Sequence, residues 1–177
     1  MRLNVLLLST TIFLVPPVYA QQSAPAPTAP TTAKAAMTDP TEFANLAAVS
    51  NMFEIESSTL ANDKSQNADV KAFAEQMIAD HTKAGQEMTA AASSENVTPP
   101  TKLDATHQAQ LDELKAGDGE AFDAAYMSAQ VKAHDDAVAL FEGYSTAGPD
   151  GALKDFAVKT LPTLKMHQER IHSLAGR

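Results

Sequence analysis

The sequence predicts an all-helical domain of four long helices, and three observations carry that expectation. Apolar residues recur at helical spacing through four separate stretches beyond residue 39. Gly- and Pro-containing breaks stand between most of those stretches. No segment alternates with period two between hairpin turns.

Residues 1–20 read as a secretory signal peptide. Arg2 gives a positive start, Val5 to Val15 is largely apolar, and Val18-Tyr19-Ala20 reads as a cleavage box. The apolar run is too short to span a bilayer, and Pro16-Pro17 interrupts it. Cleavage near Ala20 would leave an exported protein, periplasmic or secreted. Residues 21–38 are rich in Ala, Pro, Thr and Ser and are expected to form a disordered tether. The domain is expected to span 39–177. No later segment reaches the ~20 apolar residues of a membrane helix.

Asp39-Pro40-Thr41-Glu42 opens the first helix, which runs to about Asp63. Its stripe is Phe43, Leu46, Ala47, Ser50, Phe53, Ser57, Leu60 and Ala61. The second starts near Asn67 and carries Val70, Phe73, Ala74, Met77, Ile78, His81, Ala84 and Met88. Thr101 with Asp104 is expected to cap a short extra helix carrying Leu103, His107, Leu111 and Leu114. Gly117-Asp118-Gly119 ends it. The third long helix holds Phe122, Tyr126, Met127, Gln130, His134, Ala137, Val138 and Phe141. After Gly148-Pro149-Asp150-Gly151 the fourth holds Leu153, Phe156, Leu161, Leu164, His167 and Ile171, with Pro162 expected to bend it. Short loops make helix pairs one–two and three–four antiparallel neighbours.

The chain has no Cys and a net charge of -9, or -10 once Arg2 leaves with the signal. Packing alone must hold the fold, and thiolate chemistry is excluded. Such acidity argues against nucleic acid and anionic lipid as partners.

Several ordered motifs resemble one known family. They are Phe53-Glu54-Ile55, Leu60-Ala61, Val70-Lys71-Ala72-Phe73-Ala74 and Met77-Ile78-Ala79-Asp80-His81, followed by Phe122-Asp123 with Tyr126, His134, and Leu161-Pro162 with His167. The set resembles the domain-of-unknown-function family numbered 4142 over roughly Phe43 to Leu174. The resemblance implies an exported bacterial protein with a ferritin-like four-helix fold. It implies no activity.

The candidate chemistry is a metal site in the bundle core. His81, His134 and His167 lie on apolar faces of three helices, and Glu54 lies at the edge of a fourth. Three imidazoles and a carboxylate would suit zinc, copper or iron. Asp80, Asp123 and Tyr126 are candidates to support the ligands from behind. Helical rise leaves axial mismatches of ~5 Å between His134 and His167 and ~7 Å between Glu54 and His81, so one shared layer is allowed but not required. Met77 and Met127 are read as gap-fillers and His107 as packing. Carboxylate-bridged di-iron proteins use Glu on two helices and Glu-x-x-His on two others. Here only Gln130 accompanies His134, and the His172 of Glu169-Arg170-Ile171-His172 faces away. Three readings follow: a non-catalytic envelope protein binding a transition metal, a structural or partner-binding bundle with hydrogen-bonded histidines, and a ferritin-like oxidoreductase. The third comes last, because no nucleophile or proton-transfer constellation stands out.

Overall fold

The computed structural model describes residues 36–176. The signal read over 1–20 and the tether up to residue 35 lie outside them. Among the described residues there are five helices and no strand: α1 (Pro40–Lys64), α2 (Ala68–Ser94), α3 (Ala105–Ala116), α4 (Gly119–Ala147) and α5 (Ala152–Ala175). No described helix is long and apolar enough to cross a membrane.

Side chains close the starts of three helices. Asp39 accepts from Thr41 N at 2.8 Å, Asn67 from Asp69 N at 2.9 Å, and Asp104 from His107 N at 2.8 Å. Asp104 alone is therefore the cap of α3. Thr101 and Leu103 precede the helix, because an Asp carboxylate next to the first helical residue reaches the orphan N–H groups and a threonine three residues earlier does not. The start of α5 is closed from outside: Glu95, just past the end of α2, accepts from Leu153 N at 2.8 Å. A Cβ on Gly151 would lie 2.5 Å from that carboxylate, so the approach requires glycine. Pro162 sits inside α5, which continues through it.

The four long helices pack in a cycle, with α1 on α2 and α4, and α5 on α4 and α2. Neighbours around the cycle are antiparallel. Two apolar clusters fix the directions: one holds Phe43, Met88, Phe141 and Phe156, the other Phe53, Phe73, Phe122 and Ile171. Helices α1 and α5 run from the first cluster to the second, and α2 and α4 run back. The connection from α2 to α4 therefore travels the length of the bundle, and its helix α3 packs on α1 and α4.

The face of α1 is turned from the stripe read in the sequence. Ala44, Ala48, Glu54 and Ser58 are buried, whereas Leu46 is 39% exposed. Contact with α2, α3 and α4 together wraps α1 on a wider arc than one stripe covers. Ala36 and Met37 also pack on the bundle: Ala36 is buried, and a Cβ on Gly143 would lie 2.7 Å from Met37 Cγ.

Phe43 anchors the first cluster. Its ring stacks on Tyr144 at 3.9 Å and meets Phe141 edge-on at 5.1 Å. Phe43→Ala should cost about 3–5 kcal/mol in urea unfolding. A loss below about 1 kcal/mol would show that the cluster closes over the gap.

Candidate metal centre

Between the two apolar clusters lies a buried polar layer. His81 of α2, His134 of α4 and His167 of α5 meet there, with Glu54, Ser57 and Ser58 of α1 and Gln130 of α4 beside them. The ring centroids form a nearly equilateral triangle of 5.9, 5.6 and 5.7 Å. One nitrogen of each ring lies within 4.8 Å of the others. The axial mismatch allowed by counting residues is absent for these three, because imidazole reach and helix tilt absorb an offset of a residue or two.

The other nitrogen of each ring is tied to an oxygen. His81 Nδ1 meets Asn51 Oδ1 at 3.1 Å, His134 Nδ1 the Gln130 carbonyl at 2.9 Å, and His167 Nε2 the Asp80 carboxylate at 2.9 Å. A carbonyl, carboxylate or amide oxygen only accepts, so each ring donates its N–H outward. The lone pairs are then left on His81 Nε2, His134 Nε2 and His167 Nδ1. These atoms are buried and have no hydrogen-bond partner among the described residues.

Further groups hold this arrangement. Gln76 Nε2 donates to Asp80 Oδ2 at 3.1 Å, and Arg170 donates to Gln76 Oε1 at 2.9 Å. Phe73 presents ring contacts to His134 and His167 at 6.2 and 6.5 Å. Burial depresses all three imidazoles. His81 is pushed well below 6.5, with repulsion from the other two rings adding to burial. His134 falls to about 4, and His167 falls despite the opposing Asp80 bond. All three are therefore neutral donors at neutral pH.

Of the residues singled out in the sequence, the three histidines come together and Asp80 supports one of them. Glu54 is buried but stands apart from the three nitrogens. Its Oε1 lies 3.7 Å from His134 Nδ1, the nitrogen already turned to Gln130. Burial raises Glu54 to about 8, offset in part by the neighbouring Gln130 amide, and neither carboxyl oxygen has a hydrogen bond within range. Gln130 Nε2 itself donates to Ser57 Oγ at 3.0 Å. Tyr126 pairs with Ser58 at 2.9 Å and not with a histidine. Asp123 Oδ1 is buried without a partner, on the Tyr126 side of α4. Met77 is buried in the second cluster, and His107 packs on Phe53 while bonding Asp104. Asn51, Gln76 and Arg170 escaped the sequence reading. Their signal was spacing: Asn51 one turn before Glu54, Gln76 one turn before Asp80, and Arg170 one turn after His167.

The triangle suits a cation. Three nitrogens no more than 4.8 Å apart lie at most about 2.8 Å from a common centre, so inward shifts of about 0.7 Å give ordinary metal–nitrogen distances of ~2.0–2.1 Å. Hydrogen bonds from the outer nitrogens fix tautomer and ring plane, as ligating histidines require.

The fold and the layer define a helical-bundle protein with a buried histidine cluster. Residues 24–174 match the family described as Domain of unknown function (DUF4142), and the chain belongs to that family. No curated protein matches it. Among solved structures it is similar to DUF305 from Streptomyces coelicolor, a protein described as secreted, with TM-score 0.63 and 15% identity over 80% of this chain and 89% of that one. Similarity at that level is a likeness of fold.

The pKa shifts set a stability profile for the metal-free protein. Unfolded histidines take up protons near 6.5, whereas in the fold burial lowers all three and holds His134 neutral down to about 4, so stability falls as pH drops below 6.5. Glu54 acts oppositely: the unfolded carboxyl ionises near 4.5 and the folded one near 8, so its contribution is lost as pH rises between them. Stability should peak near pH 6.5, and Glu54→Gln should remove the alkaline decline while sparing the acid one. A urea midpoint still climbing from pH 6.5 to 8 would contradict this.

Proposed function

We propose that this is an exported, non-catalytic envelope protein whose core binds one transition-metal ion through His81, His134 and His167. One observation carries the reading: three buried imidazole nitrogens converge while the opposite nitrogen of each ring is held by an acceptor. Leaving a buried acceptor unpaired costs about 1–3 kcal/mol. A core serving only as a hydrogen-bonded network would aim hydroxyls or amides at these atoms, and coordination offsets the same cost.

Zinc, copper and iron suit neutral imidazole donors. The donor set is nitrogen-only. Glu54, proposed from the sequence as a fourth ligand, is on this reading a protonated carboxyl behind His134, because the nitrogen it faces is already committed to a carbonyl. A carboxylate-bridged di-iron centre therefore finds little support.

The bundle is proposed to be of ferritin-like type, supported by antiparallel neighbours and a single lengthwise crossover between α2 and α4. Export is supported by the signal read over 1–20, with the mature chain starting near Gln21.

Reconstitution of the mature protein with zinc or copper, followed by removal of loose metal, should leave one ion per chain and raise the melting temperature. At a hundredfold excess over Kd the stabilisation is about 2.7 kcal/mol. His81→Ala, His134→Ala and His167→Ala should each abolish retention. Retention well below one ion per chain, with an unmoved melting temperature, would leave the structural-core reading in its place.

Asp80→Ala should weaken metal affinity about 10- to 100-fold by freeing the His167 ring. Competition against a chromophoric chelator measures this, and unchanged affinity would show that the Asp80 bond does not position the ligand.

A further inference from the structure

The protein supplies three imidazole donors to the centre, and the groups that bond or face their outer nitrogens lie behind the rings. Asn51, the Gln130 carbonyl and Asp80 each sit on the far side of a ring, and Glu54 faces the outer nitrogen of His134. No group among the described residues hydrogen-bonds the three inward nitrogens. A tetrahedral ion held by three imidazoles keeps one further position.

Space adjoins this centre. His81 borders a cavity of about 30 Å³ in the layer one helical turn toward the first apolar cluster. Ala47, Ala84, Ala137 and Leu164 line it. Ala84 lies three residues after His81, Ala137 three after His134, and Leu164 three before His167. With helices in alternating directions, these offsets put all three in the same adjoining layer. Larger apolar side chains such as Met88, Phe141 and Phe156 complete the wall, and Ser50, Asn51 and Thr160 add polar groups to it. Since a water needs ~10–15 Å³ of such volume, the cavity holds a ligand of two or three heavy atoms and no ring.

Resting on the three-histidine reading, we infer that the metal's fourth position is open and takes a small monodentate ligand from this cavity, either a small anion or a diatomic molecule. The walls are mostly apolar, so the bond to the metal supplies the affinity and the cavity sets the size limit. An anion is further favoured by charge: the three ligands are neutral, and among the described residues the one carboxylate hydrogen-bonded to them is Asp80 behind His167.

Cobalt(II) is the probe, because its visible bands report coordination directly. The mature protein is loaded with cobalt and titrated with azide. The expected result is a saturable band shift at one azide per cobalt. Ala84→Val narrows the cavity at its wall and should weaken azide binding at least tenfold while the protein still retains cobalt; Ala47→Val serves if that variant does not fold. Failure to retain cobalt would strike the three-histidine reading itself. Cobalt retained with bands that azide does not move would overturn the open position alone. A shift seen in Glu54→Ala but absent from the parent protein would also overturn it, by showing that the Glu54 carboxylate swings in to fill the position. Equal azide affinity in the parent and the narrowed variant would overturn the cavity as the ligand's place.

Discussion

A neutral imidazole has opposite needs at its two nitrogens, one a donor and the other an acceptor, and burying three in one layer constrains all four long helices. α1 supplies Asn51 to His81, α2 supplies Asp80 to His167, and α4 supplies its own Gln130 carbonyl to His134. Phe73 packs against two of the rings. Each helix must therefore hold its register and rotation to within a side chain's reach. The apolar clusters above and below contribute most of the burial energy, yet they would tolerate sliding that the polar layer does not.

That layer is also unusual in its charge. Its three rings are held neutral by burial, and so is the Glu54 carboxyl. Arg170 opposes positive charge at one ring, His167, and the Asp80 carboxylate bonded to that ring is part of a chain reaching Gln76 and Arg170 near the surface. The nitrogens gain by coordination without first losing a proton. With the proposed ion bound, charge balance would fall to Asp80 at one remove, a softer constraint than the carboxylate bridges of di-iron bundles.

Much of this was legible from residue patterns. Periodicity and punctuation located every helix to within a few residues, since caps such as Asp39 and Asn67 act through local geometry. The inward placement of His81, His134 and His167 followed from the same periodicity. Rotation of α1 did not, because it depends on three neighbours at once. Reading a single stripe put Leu46 inside and Glu54 at the margin, when Leu46 is half-exposed and Glu54 is fully covered. Partners of the rings were harder still. Asp80 adjoins His81 in sequence but bonds His167 on another helix, and Tyr126 shares the face of His134 yet pairs with Ser58 across the core. Such pairings are set by which helices touch, information that no single helical wheel contains.

The crossover between α2 and α4 divides the chain into two helical hairpins, and neither one can build the centre alone. The first brings a single imidazole together with Asn51, and the second brings the other two but lacks Asp80. The Asp80–His167 bond spans the seam between them. On the proposed reading a cation would be a clasp across that seam, not a template for either hairpin, and its rate of entry or exit would measure how often the seam opens.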